Sequence, residues 1–318
     1  MPAYLITAYF FAGGLLSSVF RGWRWFTGLR FRLARVLLRH VHYRWLFRLA
    51  HLARALGLTE KAQRYRSLVA QENCRCLLGD AQPLDFTWVA QRRVILEIAA
   101  TWAQNPAFMR EIEACAARLN QVLQPLLDAK MPIILAPMHN VSDIVAVIVG
   151  AKAIGLPLTV IVSSNADVYH PQERQQAGLE NISYCSIHAP AEGRASQLMN
   201  DLPACASGAR AMLLFPDMVQ EYTQTAASGE MGAYPCRLFG RPASLHNGIV
   251  RLSRAISAQV VFYSLSFDNG LAISIDAPVP ARQLPQRMPE IIEDALRRYP
   301  GEWLLWHLHS LFFTNRAP

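Results

Sequence analysis

An α/β fold with a central, mostly parallel sheet flanked by helices is the class this sequence predicts, on three observations. Beyond residue 131, short β-rich apolar runs alternate with helical ones, the pattern of a sheet wrapped by helices. Two of those runs are joined by Asp268-Asn-Gly270, a strong hairpin signal that adds an antiparallel edge. Before residue 131 the periodicity is helical throughout.

In chain order, helices are expected over 61–72, 88–104 and 106–129, the second with apolar residues at helical spacing. Strand 133–136 and helix 140–153 come next, then strands 158–162 and 182–187, helix 191–206 and strand 211–215. After a loop come helix 244–256, strands 260–267 and 271–275, and terminal helices over 287–298 and 301–312. No internal repeat or low-complexity segment interrupts the series.

The charge is concentrated at one end. Nine arginines (21, 24, 30, 32, 35, 39, 44, 48 and 54) precede Glu60, the first acid, whereas the remaining 22 Lys and Arg face 23 Asp and Glu. The chain thus divides into an apolar anchor with a basic amphipathic arm over 1–59, and a helical lead-in with an α/β domain over 60–318. Residues 3–20 form an uncharged run of 18, long enough to span a bilayer or to lie in its interface. The run has no charged segment before it and no clear cleavage site after it, so it does not read as a secretory signal.

Arg21, Trp23, Arg24, Trp25 and Phe26 then form an aromatic and cationic collar suited to a headgroup layer. Arg32, Arg35, Arg39 and Arg48, interleaved with Leu29, Val36, Leu37 and Leu46, suit amphipathic helices on anionic lipid. A nucleic-acid arm is the rival, but these arginines sit among Trp, Phe and Leu rather than in a polar tail. The positive-inside rule places the arm and the domain after it in the cytoplasm. An apolar content of 52 % with 17 % charged residues also points to a membrane-associated surface.

Six cysteines show no spacing suited to zinc and read as reduced structural thiols. No Gly-x4-Gly-Lys phosphate loop and no Gly-x-Ser-x-Gly elbow occurs near Ser163-Ser164, which argues against a nucleotide enzyme and a serine hydrolase.

The chemistry centres on Met138-His-Asn-Val-Ser-Asp143, directly after the apolar run Pro132-Ile-Ile-Leu-Ala-Pro137. On a helix opening at 140, residues four apart share a face, so Asp143 would hold one imidazole nitrogen of His139 and leave the other as a base. A helix N-terminus nearby would keep that imidazole neutral. Sites in open α/β sheets gather at the carboxyl ends of strands, where both His139 and Asp217 fall.

With these pieces in order, the chain resembles the lysophospholipid acyltransferase superfamily, most closely its bacterial lipid A late-acyltransferase branch. The likeness covers about 110–318 and the general character of the arm. It rests on Pro137-Met-His139, Gly155-Leu-Pro-Leu-Thr-Val-Ile161, Ala211-Met-Leu-Leu-Phe-Pro-Asp217, Leu238-Phe-Gly-Arg-Pro-Ala243 and Glu302-Trp-Leu-Leu-Trp306-His307.

The resemblance implies a glycerolipid-acyltransferase-like fold with an N-terminal membrane helix at the bacterial inner membrane. It implies transfer of a fatty acyl chain from acyl carrier protein or coenzyme A to a hydroxyl or amine of a lipid or glycolipid, including lipid A of lipopolysaccharide. No cofactor or metal is implied beyond the thioester co-substrate. His139 would be the general base and Asp143 its orienting carboxylate, while Asp217, Arg241, Ser163 and Ser164 would contact substrate.

Two departures stand out: His-x3-Asp is one residue shorter than the family's His-x4-Asp/Glu, and Ser163-Ser164 replaces an arginine usual after the second strand. The serine pair suits a less anionic acceptor. The alternative reading is a catalytically degenerate protein that holds an acyl chain or serves as a scaffold in a membrane glycolipid or polysaccharide assembly complex. Among other polar residues, His246 and Asn247 read as helix caps, and His307 and His309 as packed structural histidines.

Overall fold

The computed structural model describes residues 33, 35–56, 61–79, 84–162, 181–186, 191–218, 233–308 and 313. The apolar run 3–20, its collar and the Ser163-Ser164 pair lie outside them. Among the described residues no helix is long and apolar enough to cross a membrane.

Helices α1 (Arg44–Ala55), α2 (Lys61–Leu78), α3 (Phe86–Ala100) and α4 (Pro106–Asp128) lead into strand β1 (Ile133–Pro137). Local chemistry sets their starts. The Asp85 carboxylate accepts from the Trp88 amide at 2.9 Å, and Asn105 caps α4 through the Ala107 and Phe108 amides, with Pro106 in the first turn. Helix α5 (Asp143–Ile154) then leads to β2 (Leu158–Val162), β3 (Ile182–Ser186), α6 (Ala191–Ala206) and β4 (Ala211–Leu213). The remainder is β5 (Ala233–Leu238), β6 (Arg241–His246), α7 (Gly248–Ala255), β7 (Gln259–Phe267), β8 (Leu271–Ile275), β9 (Val279–Pro280) and α8 (Leu284–Arg298).

The sheet order is β3-β2-β4-β1-β7-β8, with β9 also on β7. Strands β3, β2, β4, β1 and β7 run parallel, while β8 and β9 are antiparallel to β7, as the Asp-Asn-Gly turn predicts for β8. Strand alternation divides the core between two faces. Leu135, Leu213 and Val261 pack toward Leu119 and Leu123 of α4 and Val145 and Ile148 of α5. Ile134, Met212, Val260 and Phe262 pack toward Ile249 of α7, Met288 and Ile292 of α8, and Trp303 and Trp306. Each such wholly buried aliphatic side chain stabilises the fold by about 1.5–3 kcal/mol relative to exposure. Helix α5 lies close on the sheet because position 150 is glycine: a Cβ there would meet Tyr263 Oη at 2.8 Å.

Tyr43, within the stretch expected as an arm, is wholly buried against Phe108 and Phe267, and its hydroxyl donates to Glu111 at 2.7 Å. Tyr43 is therefore part of the packed body.

Three expected elements differ. Helix 140–153 begins only at Asp143, because Ser142 is its cap: Oγ accepts from the Val145 amide at 3.2 Å. The expected helix 244–256 is strand β6 followed by the shorter α7, and β6 pairs with an unexpected β5. Strand β5 contains Pro235, which a two-stranded hairpin tolerates where a central strand would not. The hairpin is closed by Phe239 (φ 51°) and Gly240 (φ 73°), a two-residue primed turn without the usual Asn-Gly signature. Finally, the described part of 301–312 forms turns and a short 3₁₀ segment rather than an α-helix, with the Glu302 carbonyl and the Leu304 amide bonded instead to the loop after β1.

Candidate active site

Strands β1 and β4 are adjacent and parallel, so the loops leaving their carboxyl ends meet. His139 stands two residues past β1, and Asp217 four past β4. There the imidazole Nδ1 lies 2.7 Å from Asp217 Oδ1, and the His139 backbone amide donates to Asp217 Oδ2 at 3.0 Å. The Trp303 indole N–H donates to that same Oδ2 at 2.7 Å. Asp217 has no exposed surface and His139 is 7 % exposed.

Because a carboxylate only accepts, the proton of a neutral imidazole sits on Nδ1 and Nε2 carries a lone pair. Among the described residues nothing hydrogen-bonds to Nε2. The Phe215 ring, 4.2 Å from the imidazole centroid and tilted 30°, walls one face.

The partner of His139 is thus Asp217 rather than Asp143. Spacing pairs His139 with Asp143 only if both lie on one helix, but His139 precedes α5, and the chain between them turns through Val141 at φ 63°. That conformation costs a β-branched residue about 1–3 kcal/mol and is held by tertiary bonds. The Val141 amide donates to the Glu302 carbonyl at 3.1 Å, and the Leu304 amide to the His139 carbonyl at 2.9 Å. Asn140 bridges Trp303 in antiparallel fashion. Glu302 is anchored in turn by the buried guanidinium of Arg92 and by the Phe267 amide.

Asp143 opens α5 and pairs with Arg93 Nη2 at 3.1 Å. Arg93 Nε also reaches Glu97 Oε1 at 2.8 Å, and the Ser142 hydroxyl donates to that oxygen at 2.9 Å. No hydrogen bond among the described residues joins Asp143 to His139, although its charge still acts there.

Burial works against a charged imidazole, but the carboxylates of Asp217 and Asp143 outweigh it, and His139 is held above its ordinary value. The helix N-terminus is expected to lower that value; the two carboxylates push it the other way. Burial also penalises the Asp217 carboxylate. The imidazolium and the three donors around it prevail and hold it below the usual carboxylate range.

The other expected residues are dispersed. Asp217, expected to touch substrate, is fully enclosed and its oxygens are occupied by His139 and Trp303. Arg241 is exposed at the start of β6 with its guanidinium 5.7 Å from the Phe313 ring centroid, and no described bond links it to His139 or Asp217. Ser163 and Ser164 fall outside the described residues. His246 accepts the Gly248 amide through Nδ1 at 3.0 Å, in keeping with a local capping role.

Among the described residues the side-chain amide of Asn140, a residue 1 % exposed, has no hydrogen-bond partner, and neither has the Oδ1 atom of Asp143. Among the described residues no cluster of three or more His, Cys, Asp or Glu side chains is placed to hold a metal. Sequence reasoning missed Trp303, Phe215, Arg93 and Asn140 as members of this cluster. Asn140, Phe215 and Trp303 lie in the 138–143, 211–217 and 302–307 segments that the sequence marks, but the apolar character of the last favours a helix over the turns it forms. No family model matches the chain, and no curated protein is significantly similar to it.

Proposed function

We propose that this protein is a membrane-associated acyltransferase of the lysophospholipid acyltransferase kind. It moves a fatty acyl chain from an acyl thioester of acyl carrier protein or coenzyme A to a hydroxyl or amine of a lipid or glycolipid. The observation that carries the reading is a buried imidazole tied through Nδ1 to the enclosed Asp217 carboxylate, at the carboxyl end of a parallel sheet. His139 Nε2 takes the proton of the acceptor O–H or N–H as the heteroatom attacks the thioester carbonyl. The tetrahedral intermediate then collapses, the C–S bond breaks, and the imidazolium returns its proton to the leaving thiolate. Products are an ester or amide and a free thiol.

Asp217 fixes the tautomer and offsets the positive charge that develops on the ring. Asp143 adds a second, more distant negative charge, so its role is electrostatic rather than orienting. The N-terminus of α5, beginning four residues after the base, offers its positive end to the oxyanion. Charge distribution and the amino-terminal apolar run support a site at the cytoplasmic face of the bacterial inner membrane.

The test is thiol release from acyl carrier protein and coenzyme A thioesters by the full chain, against a panel of bacterial glycolipids and phospholipids. Release that needs both a lipid acceptor and His139, falling at least about a hundredfold in His139→Ala, supports the proposal. Thioester binding without release for any acceptor would favour the acyl-binding or scaffold alternative.

A further inference from the structure

Helix α1 has two apolar sides. Phe47 packs inward against Trp88 and Phe267, at 5.3 and 5.6 Å between ring centroids. On another side Trp45, Leu49, Leu52 and Leu56 succeed one another four, three and four residues apart, forming one stripe along the helix. All four are between 56 and 67 % exposed. Just before the helix, Leu33, Val36, Leu37 and Val41 repeat this at helical spacing and are also exposed. A helix of a soluble domain turns one apolar stripe to the core and a polar face to water. This one turns aliphatic and aromatic side chains both ways.

The charges around the outward stripe are of one sign. Residues 33–56 contain no Asp or Glu. Arg44 and Arg54 are engaged by the body, through Glu111 with Asn269 and through Asp85 respectively. Arg35, Arg39 and Arg48 meet no carboxylate among the described residues. Arg48 instead lies 4.3 Å from the Trp45 ring centroid, an arrangement in which an aromatic and a cation leave the helix together.

We infer that residues 33–56 form a docking face that lies flat on a bilayer containing anionic lipid. Leu49, Leu52 and Trp45 enter the acyl boundary, while Arg35, Arg39 and Arg48 meet headgroup phosphates. The mixture identifies the occupant. An acidic protein would answer the arginines but not eight exposed large apolar side chains, whereas an anionic membrane answers both. The uncharged run 3–20 and its arginine-tryptophan collar continue in the same sense towards the amino terminus.

The face also lies one helix away from the candidate site. Through Phe47, His51 and Arg54, α1 holds Trp88 and Asp85 at the start of α3, and α3 carries the Arg92, Arg93 and Glu97 that position the His139 loop. Docking on this face therefore sets the body's orientation relative to lipid. This deepens the membrane part of the proposed function, and its test reads no acyl transfer, so the two can fail separately.

The experiment uses the full chain with Cys76→Ser, which removes the exposed cysteine, and an environment-sensitive fluorophore on Leu49→Cys or, as a control, on Arg287→Cys. Vesicles contain phosphatidylcholine alone or with phosphatidylglycerol, with and without nitroxide on the acyl chains. Expected is a blue shift and nitroxide quenching at position 49 but not at 287 on the anionic vesicles. Changing Arg35, Arg39 and Arg48 together to Gln should weaken that signal several-fold, as should added salt. The inference is overturned if the chain binds vesicles while the label at 49 stays in water. It is equally overturned if the label is shielded without vesicles as protein concentration rises, since a second copy then covers the face.

Discussion

Trp303 and Asp217 are joined by an indole N–H bond of 2.7 Å to the carboxylate oxygen that also accepts the His139 amide. This bond ties the turns after α8 to the loop after β4. It makes Trp303 a positioning residue, acting on the base through Asp217. In Trp303→Phe the carboxylate loses one of its three donors, so its charge is less offset and its position less fixed. We expect kcat to drop about tenfold with KM little changed, and the acid limb of the pH–rate profile to move to higher pH. Denaturant unfolding should show a loss of about 1–3 kcal/mol, as for other buried hydrogen-bond deletions. A fall in stability with an unmoved pH limb would assign the indole a packing role only.

Exchanging the two carboxylates separates their roles. Asp217→Asn should reduce thiol release about a hundred- to ten-thousand-fold, because the amide can no longer fix the Nδ1–H tautomer. Asp143→Asn removes only a distant charge and the Arg93 pair, so most activity should remain and the acid limb should shift to lower pH. Steady-state kinetics of the two variants side by side decide this. A larger loss in Asp143→Asn than in Asp217→Asn would restore the dyad expected from spacing.

Why that dyad misled is a matter of scale. Parallel strands declare themselves locally, through apolar runs and turn residues, and β2, α6 and β8 are found at the residues the pattern marks. Which carboxylate meets His139 is settled by sheet order, since β4 lies beside β1 although 78 residues separate His139 from Asp217. Sequence spacing carries no trace of that neighbourhood. It did carry the strand-end position of each residue, which is why both were singled out for chemistry. Trp303 was illegible for a different reason: an apolar Trp-Leu-Leu-Trp run has helical character, and only the unpaired carbonyls and amides of the His139 loop draw its backbone into turns.

The pH dependence is that of the coupled pair. Proton abstraction needs neutral His139, whose value is raised, so activity should climb with pH through an inflection above the ordinary 6.5 of histidine. Stability runs the other way on that limb. A raised imidazole contributes stability that is complete below its unfolded value and is lost as pH rises through the folded one. Asp217, held low, contributes stability present above the unfolded carboxylate value and lost as pH falls through its folded one. Denaturant midpoints for wild type and His139→Gln should therefore converge at both ends of the range and differ most between them. Parallel curves at all pH values would show that the pair is not coupled to folding.

Asn140 offers a test in which stability and function move in opposite directions. Its amide is buried with neither atom bonded among the described residues, an arrangement that costs about 1–3 kcal/mol in desolvation. Leucine is close in size and brings no polar atoms, so Asn140→Leu should raise the denaturant midpoint by the equivalent of about 1 kcal/mol or more. A group kept at such a cost beside the base is expected to answer substrate, and the variant should lose at least about tenfold in kcat while His139 still titrates above its ordinary value. Thermal unfolding and thiol release on the same preparation give both numbers. Destabilisation with unchanged turnover would mean that the amide supports the strained turn at Val141 and has no part in transfer.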